Sequence, residues 1–541
     1  MQTYEEIYSQ FRWPQKQHYN FARDVIDRWA EKFPSKRAML WVDEAGNIAE
    51  RSFSQISDAS KRFANVLMQS GVKRGDVVII ILSRQIAWWE VKMACLRAGV
   101  VISPGTTQLS SKDIAYRIHA AKAVAVITDS ANADKVDNIA KQCPSLNVKF
   151  LIDGSREGWL DYTDLTAKAD TCFVNVNTHV DDEALLYFTS GTTGYPKMTV
   201  HCHGYPMGHE TTARFWLDIV SDDLHWNISD TGWAKAAWSS YFGPWLIGSA
   251  VFVHHTPQFD AEETLEILQK HPITTMCGAP TIYRLLVQQD LSKFKPKTLR
   301  HCVAAGEPLN PEVIEVWKNA TGLIIRDGYG QTETVILCGN FSTVPVRYGS
   351  MGKPAPGIDL NIVDNAGQPV GPNEEGHIAV RVSPVRPYGL FKEYKNDPKS
   401  TALCYKGDWY LTGDRAYKDE DGYFWFVSRT DDVILSAGYR IGPFEVESAL
   451  LEHEAVVESA VVAKSHPVRG DIVKAFIVLA KGVEGTEALK SELQTYVKTV
   501  TAPYKYPREI EFIKTLPKTV SGKIHRIDLR ARDKSNAKIT E

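Results

Sequence analysis

Residues 187–198 read Y-F-T-S-G-T-T-G-Y-P-K-M, and this is where the chain's chemistry begins. Thr189, Ser190, Thr192 and Thr193 bring four hydroxyls, Gly191 and Gly194 let backbone approach a ligand closely, and Lys197 adds a positive charge. That set exceeds what a polar turn needs and suits a phosphate. The apolar run 184–188 ahead of it suits a buried strand that breaks abruptly into the loop. It is not a Walker loop. Pro196 precedes the lysine and Met198 follows it, where that motif needs Gly before and a magnesium-binding Ser or Thr after. A metal must be held from elsewhere.

A second motif, D-G-Y-G-Q-T-E-T at 327–334, supplies such a place. Tyr329 between Gly328 and Gly330 offers a ring face to a planar base, and Thr332 beside Glu333 can hold phosphate and magnesium together. It follows the apolar stretch 323–325, and ligands of parallel sheets gather at the carboxyl ends of strands. Three further stretches carry charge next to glycine: W-Y-L-T-G-D at 409–414, S-R-T-D-D-V-I-L-S-A-G-Y-R-I-G at 428–442, and P-K-T-V-S-G-K-I-H-R at 517–526. Singly, each reads equally well as a turn or a solvated surface group.

The elements that must position these groups alternate between strand and helix. Strands are predicted at 77–82, 100–103, 123–128, 273–277 and 299–305, with helices at 85–98, 111–121, 131–142, 261–270, 280–289 and 311–321. Apolar strands separated by helices imply parallel sheet with crossover helices. From residue 349 short Gly- and Pro-broken segments predict antiparallel hairpins. Beyond 430 a separate α+β pattern begins, with helices at 444–451 and 487–500 and strands at 456–465, 474–479 and 509–513.

At 541 residues the chain exceeds one typical core. A net charge of -3 gives no electrostatic reason to expect nucleic acid or an anionic membrane as partner. Eight scattered cysteines without a C-x-x-C pair favour free thiols in a reducing compartment. His201, Cys202 and His203 alternate faces if they lie on a strand, so packing is favoured over metal binding. The uncharged run 236–253 contains Gly243, Pro244 and Gly248, which suits a buried wall better than a membrane span. Residues 1–10 lack the features of a signal or transit peptide, and the expectation is a soluble, cytoplasmic protein.

Together, in this order, the five motifs resemble those of the adenylate-forming superfamily: acyl-CoA synthetases, peptide-synthetase adenylation domains and luciferases. Met198 after Lys197, with V-T-A-P-Y-K-Y-P at 500–507, is most similar to the medium-chain acyl-CoA synthetases. The resemblance implies an α/β fold with a large N-terminal domain (1–430) of two related α/β subdomains plus a β-rich subdomain. A small mobile α+β C-terminal domain (431–541) would turn about a hinge at Asp431.

It also implies an ATP-dependent acid–CoA ligase using magnesium and coenzyme A. A carboxylate attacks the α-phosphate of ATP to give acyl-AMP and pyrophosphate, and the thiol of coenzyme A then releases AMP. By the same resemblance Lys523 is the cation of the first half, Thr332 serves the α-phosphate and Glu333 the magnesium. Thr189 to Lys197 cradle the leaving phosphates. Gly306, Glu307 and Pro308 join Tyr329 at the adenine, within the nucleotide motif of Asp327, Gly328, Gly330 and Gln331. Asp414 and Arg429 serve the ribose.

Gln108, Gly438, Tyr439, Arg440, Arg469, Tyr504, Lys505 and Tyr506 match coenzyme-contacting positions, although Ala437 stands where those relatives usually have Ser. Trp233, Lys235, Trp238, Cys277 and Gly330 match the acyl pocket, where Trp238 replaces a smaller aliphatic residue. A short- to medium-chain acid, straight or branched, is therefore expected. Lys235 is unusual in an apolar wall and is expected to reach solvent or to pair with a polar group. An enzyme loading a free-standing carrier protein and an inactive nucleotide-binding regulator share the nucleotide motifs and stay open alternatives.

Overall fold

The computed structural model describes residues 2–189, 196–430, 432–436, 439–466, 469–518 and 524–537. Two large, mostly parallel sheets dominate. The first has eight strands in the order Glu393–Tyr394, Lys197–Cys202, Glu183–Thr189, Val101–Gly105, Val77–Ile81, Ala125–Thr128, Val148–Leu151 and Leu160–Asp161. Strand Val77–Ile81 shows why the run is wholly apolar. Val77, Ile79 and Ile81 enter one hydrophobic cluster and Val78 and Ile80 enter another, so both faces are covered, as parallel sheets require.

The phosphate-loop motif joins two antiparallel neighbours of this sheet: Thr189 lies opposite Lys197 in register. Lys197 therefore opens a strand rather than a helix, which is the structural difference from a Walker loop.

The second sheet has nine strands. Its parallel centre is Ile325–Gly330, His301–Ala305, Thr275–Gly278, Leu224–Ile228 and Ala250–His255, extended by Arg37–Asp43 from near the N-terminus. Helices Ala261–Lys270, Pro280–Val287 and Pro311–Thr321 connect the strands between Ala250 and Gly330. Asp260 caps the first by accepting from the Glu263 backbone, and prolines open the other two at a position whose N–H would be unpaired anyway.

The run 236–253 is neither a span nor a single helix. It breaks into Ala234–Ala237, the π-helical turn Trp238–Phe242, Gly243–Ile247 and the strand Ala250–His255, all largely buried. Among the described residues no helix is long and apolar enough to cross a membrane.

A third, antiparallel sheet holds Leu360–Val363, Gly376–Arg381, Trp409–Lys418 and Phe424–Arg429. The fourth is built only from residues beyond 433: Ile434–Ser436, Tyr439–Ile441, Val456–His466, Gly470–Leu479 and Glu509–Phe512. Its main hydrophobic cluster draws on the same part of the chain, with Val446, Leu450, Val473, Leu493 and Val497 at its centre.

Candidate active site

All four sheets contribute to one cleft of about 750 Å³. Thr189 and Lys197 come from the first sheet. Gly306, Glu307 and Pro308 follow strand His301–Ala305 of the second, and Asp327 to Glu333 run along and past strand Ile325–Gly330. Asp414 and Arg429 are cross-strand partners in the third sheet, and Lys518, Ile524, His525 and Arg526 line the cleft from the fourth region. The carboxyl ends of the parallel strands meet here, where such sheets place ligands.

The nucleotide motif is held from several sides. The Tyr329 hydroxyl donates to Asp414 Oδ2 at 2.5 Å, and Gln331 Nε2 donates to the same oxygen at 2.7 Å and to the Thr412 carbonyl at 2.9 Å. Burial, followed by the Asp414 charge, pushes the Tyr329 phenol far above its ordinary range, so it stays a donor. The glycines flanking Tyr329 answer to packing. A Cβ on Gly328 would lie 2.4 Å from Trp216 Nε1, and one on Gly330 would lie 2.4 Å from the Val335 carbonyl and 2.7 Å from Trp238 Cη2.

Asp327 is buried under backbone donors from Gly328 (2.9 Å) and Leu309 (3.4 Å). Burial raises its pKa to about 8. Glu307 accepts from Thr281 Oγ1 at 2.8 Å and pairs with Arg284 at 3.0 Å, which fixes the segment expected beside the adenine.

Thr332 and Glu333 are tied to the first sheet by two residues whose roles no local motif announces. His201 donates from Nε2 to the Thr332 carbonyl at 2.7 Å, which sets its tautomer. Burial lowers its pKa to about 3, so the ring is neutral. The packing reading of His201 thus acquires a specific partner. Tyr394 donates its hydroxyl to Glu333 Oε1 at 2.7 Å, and its ring lies 4.8 Å from Lys197 Nζ. Only the antiparallel pairing of Tyr394 with Thr199 brings it there. One tyrosine therefore stands between the phosphate-loop cation and the carboxylate expected to serve magnesium.

A single carboxylate beside a hydroxyl and a lysine suits a magnesium ion that arrives with phosphate oxygens and keeps several waters. Among the described residues no group of three or more His, Cys, Asp and Glu would hold a metal by itself. The fit is to a nucleotide-borne ion.

Of the acyl-pocket set, Gly330 lines the cleft, Trp233, Lys235, Trp238 and Cys277 are not among its lining residues, and Trp238 approaches it through Gly330. Trp238 is buried, its ring edge meets Gly330, and its Nε1 donates to the Tyr205 hydroxyl at 2.8 Å. Cys277 is buried in strand Thr275–Gly278, and Trp233 is half-buried just before helix Ala234–Ala237. Lys235 does not snorkel outward. Its Nζ donates to the carbonyls of Gly278 at 2.5 Å and Ala305 at 2.8 Å, at the ends of two parallel strands. Trp245 is core, bonded to the Ala38 carbonyl.

The described members of the coenzyme set are not among the residues that line the cleft. Gln108 is exposed after strand Val101–Gly105. Tyr439 and Tyr504, both exposed, stack with ring centroids 4.2 Å apart, and Lys505 pairs with Glu445. Tyr506 accepts from Arg508 at 2.7 Å, and Arg469 is half-buried. Ser190, Gly191, Thr192, Thr193, Gly194, Asp431, Gly438, Lys523 and the side chain of Arg440 lie outside the described residues.

Known proteins agree with a nucleotide-activating cleft. The model described as AMP-binding enzyme matches residues 26–394, and that described as AMP-binding enzyme C-terminal domain matches residues 445–523. The human protein named "Acyl-coenzyme A synthetase ACSM3, mitochondrial" is 49% identical, over 98% of this chain and 92% of its own length. The Mus musculus protein of that name is 50% identical, over 98% and 93%.

Among solved structures, an anthranilate CoA ligase in complex with anthranoyl-AMP superposes with a TM-score of 0.88 at 28% identity, over 97% of this chain and 99% of that one. An acyl-CoA synthetase of Brucella canis gives 0.76 at 34%, over 99% and 100%. The chain belongs to the AMP-binding enzyme family.

Proposed function

We propose that the acid ligated by this enzyme is short- to medium-chain, straight or branched, and that Trp238 sets its length. The activity itself, ATP-dependent formation of an acyl-CoA with release of AMP, follows from family membership and about 50% identity to acyl-CoA synthetases over nearly the whole chain. ATP and coenzyme A are its co-substrates. The observation that carries the acid assignment is the Trp238 ring standing at Gly330, beside Tyr329 and Gln331 of the nucleotide motif. A bulky indole there leaves little depth beyond the carboxylate.

In the first half-reaction an acid oxygen bonds to the α-phosphorus while the bond to the bridging oxygen breaks and pyrophosphate leaves. Two anions must meet, so cations aimed at the moving charge matter most. Lys197, Thr189 and the loop between them would hold the leaving phosphates, Thr332 the α-phosphate, and Lys523 the charge developing between acid and phosphate. Magnesium, held through Glu333, would supply neutralisation of the phosphate oxygens. Asp414 and Arg429 would orient the ribose, with Tyr329 and the 306–308 segment on the adenine.

In the second half the coenzyme thiol gives up its proton, sulfur bonds to the acyl carbon and AMP leaves. The two halves need different faces of a small domain, residues 431–541, turning at Asp431. This reading is supported by Lys518 and Ile524, which flank 519–523 and line the cleft while Tyr439, Arg469 and Tyr504 do not. The relatives' names place them in mitochondria, at odds with a plain cytoplasmic expectation. Free cysteines suit either reducing compartment, and cell fractionation decides between them.

The test is ATP-dependent thioester formation with straight and branched acids of two to ten carbons, with AMP and pyrophosphate quantified. A maximum at short or branched acids is expected. A maximum at eight or more carbons removes the pocket reading, and acid-dependent exchange without thioester removes coenzyme A as acceptor.

A further inference from the structure

We infer that Tyr205 is a specificity-determining positioning residue: by accepting the Trp238 indole hydrogen bond it fixes that ring as the pocket floor and so sets the length of the acid. The inference rests on the acyl-pocket reading above. Helix Tyr205–Thr211 and the π-helical turn Trp238–Phe242 present aromatic residues four apart to each other. The rings of Tyr205 and Phe242 lie 6.1 Å apart, His209 and Trp238 6.0 Å, and His209 and Phe242 5.9 Å. The polar contact within this quartet is the 2.8 Å bond from Trp238 Nε1 to Tyr205.

Tyr205 itself is immobilised. It is fully buried, its ring lies 3.8 Å from that of His201, and His201 is pinned to the Thr332 carbonyl. The chain of contacts therefore runs from the α-phosphate residue through His201 and Tyr205 to the pocket floor. His209 is buried with neither ring nitrogen hydrogen-bonded. If the Tyr205 hydroxyl is removed, the unprotonated ring nitrogen of His209, whose ring centroid lies 6.0 Å from that of Trp238, is a free acceptor for a buried indole N–H that must find one. A turn toward that nitrogen moves the Trp238 ring from the position in which it meets Gly330, and a deeper pocket is the expected result.

Tyr205→Phe keeps the ring and its stacking. We expect kcat/KM for an eight-carbon acid relative to a four-carbon acid to rise at least ~10-fold, the scale on which a pocket discriminates methylenes. The KM for ATP should stay within ~2-fold, which a general structural loss would not allow. Benzothienylalanine at position 238 keeps the bicyclic ring and lacks the N–H, so it removes the same bond from the other side, must move the ratio in the same direction, and carries the test if Tyr205→Phe fails to fold. In the Trp238→Phe background, adding Tyr205→Phe should change the ratio by less than ~2-fold.

An unchanged ratio in Tyr205→Phe, or an equal shift without the indole N–H, overturns the inference. Wild-type preference for eight or more carbons would instead sink the pocket reading beneath it.

Discussion

Replacing Tyr394 by Phe removes one hydroxyl and leaves the ring facing Lys197, so it isolates the hydrogen bond to Glu333. That bond is 2.7 Å long and its acceptor is a carboxylate. Hydrogen bonds to charged groups contribute about 1.5–3 kcal/mol net. Released from Tyr394, the carboxylate can turn toward Lys197, and two charges meant for magnesium and phosphate would neutralise each other. The loss falls on the adenylation step, where ~1.5–3 kcal/mol corresponds to roughly 10- to 150-fold.

The assay is acid-dependent pyrophosphate–ATP exchange titrated with magnesium, alongside calorimetric binding of ATP with and without the ion. We expect a raised magnesium requirement and weakened ATP binding, with the larger loss in the presence of the ion, because the variant compromises both Glu333 and Lys197. Wild-type magnesium dependence in both measurements would refute the positioning role.

Lys523→Ala should lower pyrophosphate exchange by ~10²-fold or more, the scale of removing one group from the developing charge, and spare thioester formation from supplied acyl-AMP. Both measured on one preparation decide it, and retained exchange would remove Lys523 from the first half. Gly330→Ala forces a methyl to within 2.4 Å of the Val335 carbonyl and 2.7 Å of Trp238. A loss of ~1–3 kcal/mol in denaturant unfolding is expected.

Asp327, at about 8, binds its proton more tightly folded than unfolded, so it erodes stability as pH rises from the ordinary carboxyl range to about 8. The melting temperature of Asp327→Asn relative to wild type should therefore climb from pH 5 to pH 8. Buried His201 (about 3), His203 and His301 (both about 4) act oppositely, and their contribution is lost as pH falls below ~6.5. A melting temperature indifferent to pH between 6.5 and 4 would contradict their burial as neutral rings.

The parallel layers were legible because their signals are local. Helices 261–270, 311–321 and 487–500 match the structure end for end, each delimited by a capping residue, a proline or a terminal glycine. The strings 327–333 and 410–414, whose residues line the cleft, were legible because each packs its polar groups into one short stretch. Residues 205 and 394 were not, since each is an ordinary tyrosine until sheet pairing or helix packing brings it to Trp238 or Glu333. Lys235 shows the same limit. Its two carbonyl partners lie 43 and 70 residues away, on strand ends that no periodicity places beside it. Nor could the string 187–198 reveal that its flanks are antiparallel partners.

Truncating Trp238 tests most directly whether it is the floor of the acyl pocket. Trp238→Ala, assayed for thioester formation with acids of four, six, eight and ten carbons, should move the preferred length upward by two or more carbons. A pocket gains about 1–3 kcal/mol for each methylene it newly admits, so the ratio of long to short acids should rise by an order of magnitude or more. An unchanged preferred length in a folded, ATP-binding variant would contradict the assignment of the acid.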